Sequence, residues 1–250
     1  MERRRITDVN DNDHFFNAQD PLQIILSNLN WQDLVRLRAT SGGFRNAVDA
    51  MNMSAFLAVN GMEPRKFYFK VAPGQSVHAA VRNCPVNGSV LLLPGRHVID
   101  RPLVIDKNIF LFGRSAATLA WGGQYRDVAV VSVTASPTLD GINIENEAGI
   151  PGINVRQGAP TFRECGIYCP RNVGINVRTS ATVLGCILDS CNQGIITRGP
   201  TVIDGCVVVE CREGAVFNDV NVTLENTRFV RCEHAVYPDE FPVSPTNTIV

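Results

Sequence analysis

Apolar positions along the chain follow two rhythms, and the change between them falls near residue 70. Before it, apolar side chains recur with helical spacing. Asp20-Pro21 offers an N-cap followed by proline at the first helical position, and Leu22, Ile25, Leu26 and Leu29 then follow at i, i+3, i+4 and i+7. Asn30 ends that helix, Leu34 and Leu37 begin a second that Gly42-Gly43 breaks, and Phe44, Ala47, Val48 and Met51 suit a short third. Beyond residue 70, short β-branched runs take over, punctuated by Gly, Pro, Asn and Asp. This grammar predicts strands separated by tight turns.

The strand region repeats. Segments 136–142 (SPTLDGI), 159–165 (APTFREC), 181–186 (ATVLGC), 200–206 (PTVIDGC) and 222–227 (VTLENT) align, and their last positions step by 23, 21, 20 and 21. A second landmark keeps the same beat: Gly152-Ile153, Gly174-Ile175, Gly194-Ile195, Gly214-Ala215 and His234-Ala235 step by 22, 20, 20 and 20. Two landmarks on one period mark a solenoid. A unit of that length holds three short strands and cannot bury its apolar face alone, so the coils must stack at the ordinary strand spacing of about 4.8 Å. The leucine-rich-repeat pattern is absent. The predicted fold is mainly β: a right-handed parallel β-helix solenoid over residues 77–237, preceded by a polar, disordered segment (1–17), a small helical module (18–60) and a linker (61–76), and followed by a tail (238–250).

The opening of the strand region, with a short helix over 77–82 followed by the segments 88–95 (apolar, ending in Pro94-Gly95), 103–105 and 109–113, resembles the start of pectin-lyase-like β-helix domains. That resemblance implies fold only, since the fold hosts lyases, hydrolases, adhesins and binding modules. Residues 25–49 in turn resemble the body of an F-box, with Ile25, Leu26, Leu29, Asp33, Leu34, Leu37 and Phe44 at the motif positions. The resemblance implies a three-helix module docking on the Skp-type adaptor of a cullin–RING ubiquitin ligase through Pro21, Leu22, Ile25, Leu26, Leu29, Leu34, Leu37 and Phe44. The β-helix would then bind a client protein, and the chain would be a non-catalytic, substrate-recruiting adaptor. Two alternatives stand beside it: a carbohydrate-active β-helix enzyme acting on polyuronides, and a structural or assembly protein.

Composition narrows the field. The chain has 250 residues, 45% of them hydrophobic, and a formal net charge of -1, which excludes a general nucleic-acid binder. No apolar run is long enough for a membrane span and the N-terminus lacks a signal-peptide core, so the expected location is the cytoplasm or nucleus, with the eight cysteines as thiols. Those cysteines form columns rather than metal-ligand spacings: Cys165, Cys186 and Cys206 share one, and Cys191, Cys211 and Cys232 another, which suits interior packing. No metal or cofactor is expected. Asp204 and Glu225 stack as an acidic pair, Glu210 and Arg231 share a column as an expected ion pair, and the histidines at 14, 78, 97 and 234 are scattered, so catalysis is not expected. Arg156, Arg178 and Arg198 occupy one coil position and point outward if Ile153 and Val155 point inward, which makes them a candidate strip for an acidic or phosphorylated client segment.

Overall fold

The computed structural model describes residues 67–113, 117–124, 128–217, 221–237 and 247–249. The helical expectation for 18–60, and every residue that carried it, lies outside these. Residues Lys66–Val250 form one compact unit. It is a parallel β-solenoid of the right-handed type with about eight turns.

Each complete turn contributes one strand to each of three sheets. The first sheet runs, in spatial order, Phe67–Val71, Ser89–Leu92, Phe110–Gly113, Thr138–Asp140, Thr161–Arg163, Ala181–Leu184, Thr201–Asp204 and Val222–Glu225. The second runs from Gly95–Ile99 through Ala117–Trp121, Asn143–Glu145, Gly166–Tyr168, Ile187–Asp189, Val207–Val209 and Arg228–Val230 to Thr248–Ile249. The third holds Leu103–Ile105, Val131–Val133, Ile153–Val155, Val173–Val177, Gln193–Thr197, Glu213–Phe217 and His234–Tyr237. Every pairing is parallel, and the repeat landmarks fall in register, with Phe162 opposite Leu139 and Val183 and Ile153 opposite Val131 and Ile175; the last one is shifted by a residue, since Ala215 pairs with Val236 and not with Ala235.

The period-two pattern of the sequence is what fills the stack. Inward positions of the first sheet form the column Leu111, Leu139, Phe162, Val183, Ile203 and Leu224, and those of the second form Leu119, Ile144, Ile167, Leu188, Val208 and Phe229, all fully or nearly fully buried. The corner after the first sheet buries Ile142, Cys165, Cys186, Cys206 and Thr227, and the corner after the second buries Cys191 and Cys211 above a half-buried Cys232. All eight cysteines are free. Contact with the thiol of the preceding rung, and then burial, pushes Cys191 and Cys211 up to about 12, so they remain protonated hydrophobes. At the start of four consecutive third-sheet strands stands a glycine: Gly152, Gly174, Gly194 and Gly214. A Cβ on Gly174 would come within 2.7 Å of the Gly194 carbonyl oxygen, and one on Gly194 within 2.3 Å of that of Gly214, so at these rungs glycine lets the strands close to hydrogen-bonding distance.

Both ends are capped. A helix over Val77–Asn83, whose N-cap Ser76 accepts a hydrogen bond from the Ala79 amide at 3.1 Å, buries Val77, Ala80 and Val81 against the first rung. Strand pairing also reaches into the expected linker, at Phe67–Val71, and into the expected tail, at Thr248–Ile249. Asn247 fixes the latter: its Oδ1 accepts from the Thr227 amide and its Nδ2 donates to the Leu224 carbonyl. A terminal rung leaves a row of open backbone groups, and any extended segment with a clamping side chain can satisfy them. Phe162→Ala, which empties the interior at the middle of the stack, should destabilise the protein by about 3–5 kcal/mol in denaturant titration, whereas Val98→Thr at an exposed position should stay within about 0.5 kcal/mol.

Candidate functional site

The outer face of the first sheet carries two columns. One is Phe110, Thr138, Thr161, Thr182, Val202 and Thr223; the other is Phe112, Asp140, Arg163, Leu184, Asp204 and Glu225. The register therefore brings Asp140 and Arg163 side by side on neighbouring rungs, although they lie far apart in sequence. The last five strands of this sheet end in a corner whose residues turn with positive φ: Gly141 (65°), Glu164 (50°), Gly185 (59°), Gly205 (64°) and Asn226 (48°). Three rungs use glycine there, and the rung of Arg163 uses a glutamate. An L side chain in this region costs on the order of 1 kcal/mol.

Glu164 is half-buried, and its carboxylate lies over the neighbouring Gly185, where a Cβ would meet its Oε1 at 2.6 Å. Glycine in the next rung leaves the space that this carboxyl occupies. Loss of solvation raises its pKa above the ordinary carboxyl value, the negative charge of Asp140 raises it further, and the positive charge of Arg163 works the other way. The result is a carboxyl biased toward its protonated form beside a second carboxylate and a guanidinium. An acid–base pair needs that asymmetry: one carboxyl that holds a proton and one that accepts it.

Asp204 and Glu225 do stack in register, as the repeat alignment predicts. Asp204 accepts a hydrogen bond from Asn226 Nδ2 at 2.8 Å, which occupies it at the far end of the face. One rung before Asp204 the column holds Leu184, which hides its continuation to Arg163 and Asp140, one and two rungs further along. The signal was present, because both stand two places before their landmark residues, Ile142 and Cys165. Glu164 could not be singled out without knowing that Gly185 makes room for it.

The remaining predicted positions are spread over other faces. Arg156, Arg178 and Arg198 are exposed at the end of the third sheet, where their amides donate to Val133, Val155 and Val177 on the preceding rungs. Asn154 is buried and Asn176 half-buried, because in-register amides cover each other; their Oδ1 atoms lack a hydrogen-bond partner. Arg231 and Glu210 form the expected ion pair, at 2.5 Å. The described histidines are not gathered: His78 is on the capping helix, His97 inside the second sheet and His234 on the third. Among the described residues no group of His, Cys, Asp and Glu could hold a metal ion, and no helix is long and apolar enough to cross a membrane.

No family model and no curated protein matches the chain. Solved structures do. A single-substitution mutant of pectin methylesterase in complex with hexasaccharide IV is similar over 73% of this chain and 69% of its own, with a TM-score of 0.51 at 12% identity. Pectin methylesterase in complex with hexasaccharide VII gives a TM-score of 0.53 at 13% identity over the same shares. These findings overturn the expectation of a non-catalytic F-box adaptor of a ubiquitin ligase. These two structures are of an enzyme in complex with oligosaccharides, and neither is an F-box protein. The physical reason lies in what carried each reading. The adaptor rested on seven motif positions in a short helical stretch outside the described residues, whereas the repeat spans the whole solenoid. At such identity the likeness is one of fold: this chain is a parallel β-solenoid with pectin-lyase-like architecture.

Proposed function

We propose that the chain is a carbohydrate-active enzyme that hydrolyses an acidic polysaccharide on the outer face of its first sheet. The observation that carries this reading is Glu164: a half-buried carboxyl packed on Gly185, whose pKa is raised by burial and by the charge of Asp140 against the opposing charge of Arg163. The matched β-helix structures, which are pectin methylesterases in complex with hexasaccharides, support the substrate class. In the proposed step Glu164 gives its proton to the leaving glycosidic oxygen as the C–O bond breaks. Asp140 takes a proton from the water that forms the new bond to the anomeric carbon, so the sum is one water added and both carboxyls are restored by proton exchange with solvent. Arg163 pairs with a uronate carboxylate on the substrate, which a planar guanidinium can grip with two parallel hydrogen bonds. The stacked rings of Phe110 and Phe112, with centroids 6.2 Å apart, lie on the same face beside Asp140.

The test is reducing-end release from polyuronides. Glu164→Gln and Asp140→Asn should each lower kcat by about 10²–10⁴-fold, while Asp204→Asn should leave it within about twofold. Full activity in Glu164→Gln, or none in the wild type on any uronate polymer, would sink the reading. The raised pKa of Glu164 also makes a stability prediction. Because the folded state favours its protonated form, its contribution is fully present below the ordinary value of 4.5 and is lost as pH rises through the shifted value. The stability of Glu164→Gln relative to wild type should accordingly be flat below pH 4.5 and improve above it. Parallel melting curves across that range check the sign.

A further inference from the structure

Beside the corner that leads from the third sheet to the first, three rungs present the same side chain. Arg156, Arg178 and Arg198 each follow the last inward residue of a third-sheet strand, and all three are exposed. The backbone holds them in a strict ladder: the amides of Arg156, Arg178 and Arg198 donate to Val133, Val155 and Val177 at 2.8, 3.0 and 2.9 Å. The corner just beyond is tied rung to rung. Thr179 Oγ1 and Ser180 Oγ both donate to the Gly158 carbonyl, at 2.9 and 3.2 Å, and Gly199 packs so closely on the Thr179 carbonyl that a Cβ there would sit 1.6 Å from its oxygen. The bases of the three side chains therefore cannot move apart to relieve their repulsion.

Nothing else described neutralises them. The ion pairs among the described residues are Arg96–Glu145, Arg212–Glu233 and Arg231–Glu210, and none involves this column. Following the column the other way, Thr134 and then Asp106 take the equivalent positions, so the positive run begins at Arg156. A chain with a net charge of -1 has no general excess of positive charge to place here. Like charges on adjacent rungs repel. Three unpaired arginines held in one row need a counter-charge with the same repeat.

We propose that Arg156, Arg178 and Arg198 form a strip that binds three consecutive free carboxylates of an extended acidic polysaccharide running along the solenoid axis. The ligand class rests on the reading given under Proposed function; the strip itself does not. A free uronate carries one carboxylate per sugar, so a run of unesterified residues presents the repeated counter-charge that the row of guanidinium groups lacks, and an esterified run presents none. Arg156 and Arg163 belong to the same turn, so a chain held on the strip lies on the face adjoining the proposed acid pair.

Binding of oligogalacturonates of two to six residues to the full chain, measured by calorimetry in the Glu164→Gln background so that no ligand is consumed, tests the strip. Affinity should rise steeply between the dimer and the trimer or tetramer, then level off. It should disappear for the fully methyl-esterified oligomer and fall by about tenfold for each of Arg156→Gln, Arg178→Gln and Arg198→Gln. Circular dichroism should be unchanged, because all three side chains are exposed. Unaltered affinity in the triple glutamine variant would overturn the proposal. So would polyphosphate or single-stranded DNA binding as tightly as the oligouronate at equal charge. The two claims separate cleanly: oligouronate binding with this pattern but no cleavage by wild type upholds the strip and removes the hydrolase, and cleavage with arginine-independent binding does the reverse.

Discussion

The solenoid depends on one constraint: each turn must return the backbone to a position from which it hydrogen-bonds, parallel and in register, to the turn before. Coils of nearly equal length meet it, and so do the glycines at 152, 174, 194 and 214, which let neighbouring strands approach where any Cβ would strike a carbonyl oxygen. Once register is fixed, side chains have no freedom about which neighbours they meet. Residues two dozen positions apart in sequence become nearest neighbours, and like stacks on like: leucine and phenylalanine inside, thiols at the corners, arginines along one edge.

The same constraint builds the chemistry. Asp140, Arg163 and Glu164 come from two turns, and the register brings the aspartate beside the arginine while the corner swings the glutamate over Gly185. The pKa of Glu164 responds to that geometry rather than to its local sequence, since the charges acting on it sit on its own strand and on the one before. Elsewhere on the surface the register is left unbalanced, and the arginine row is the clearest case.

Much of this was legible in the residues. The period, the three strands per turn, the capping helix and the buried cysteine columns all follow from counting, because a solenoid converts sequence spacing directly into spatial neighbourhood. The ends were not, since Phe67–Val71 and Thr248–Ile249 lie outside the repeat and pair only because terminal rungs have open backbone groups. The acid pair was half legible. Asp140 and Arg163 align with Asp204 and Glu225, but the column is interrupted by Leu184, and the positive φ at Glu164 leaves no mark in a single sequence. The helical stretch led furthest astray, because a few apolar matches in a short motif suggested an adaptor that the matched structures do not support.

The central claim is that stacking alone couples Asp140 to Glu164. Carboxyl-carbon NMR titration of Glu164, in wild type and in Asp140→Asn, measures that coupling at the atom concerned. The account predicts a Glu164 midpoint above the ordinary glutamate value, and a lower one once the aspartate's charge is removed. A Glu164 that titrates normally, or that ignores the substitution, would contradict it.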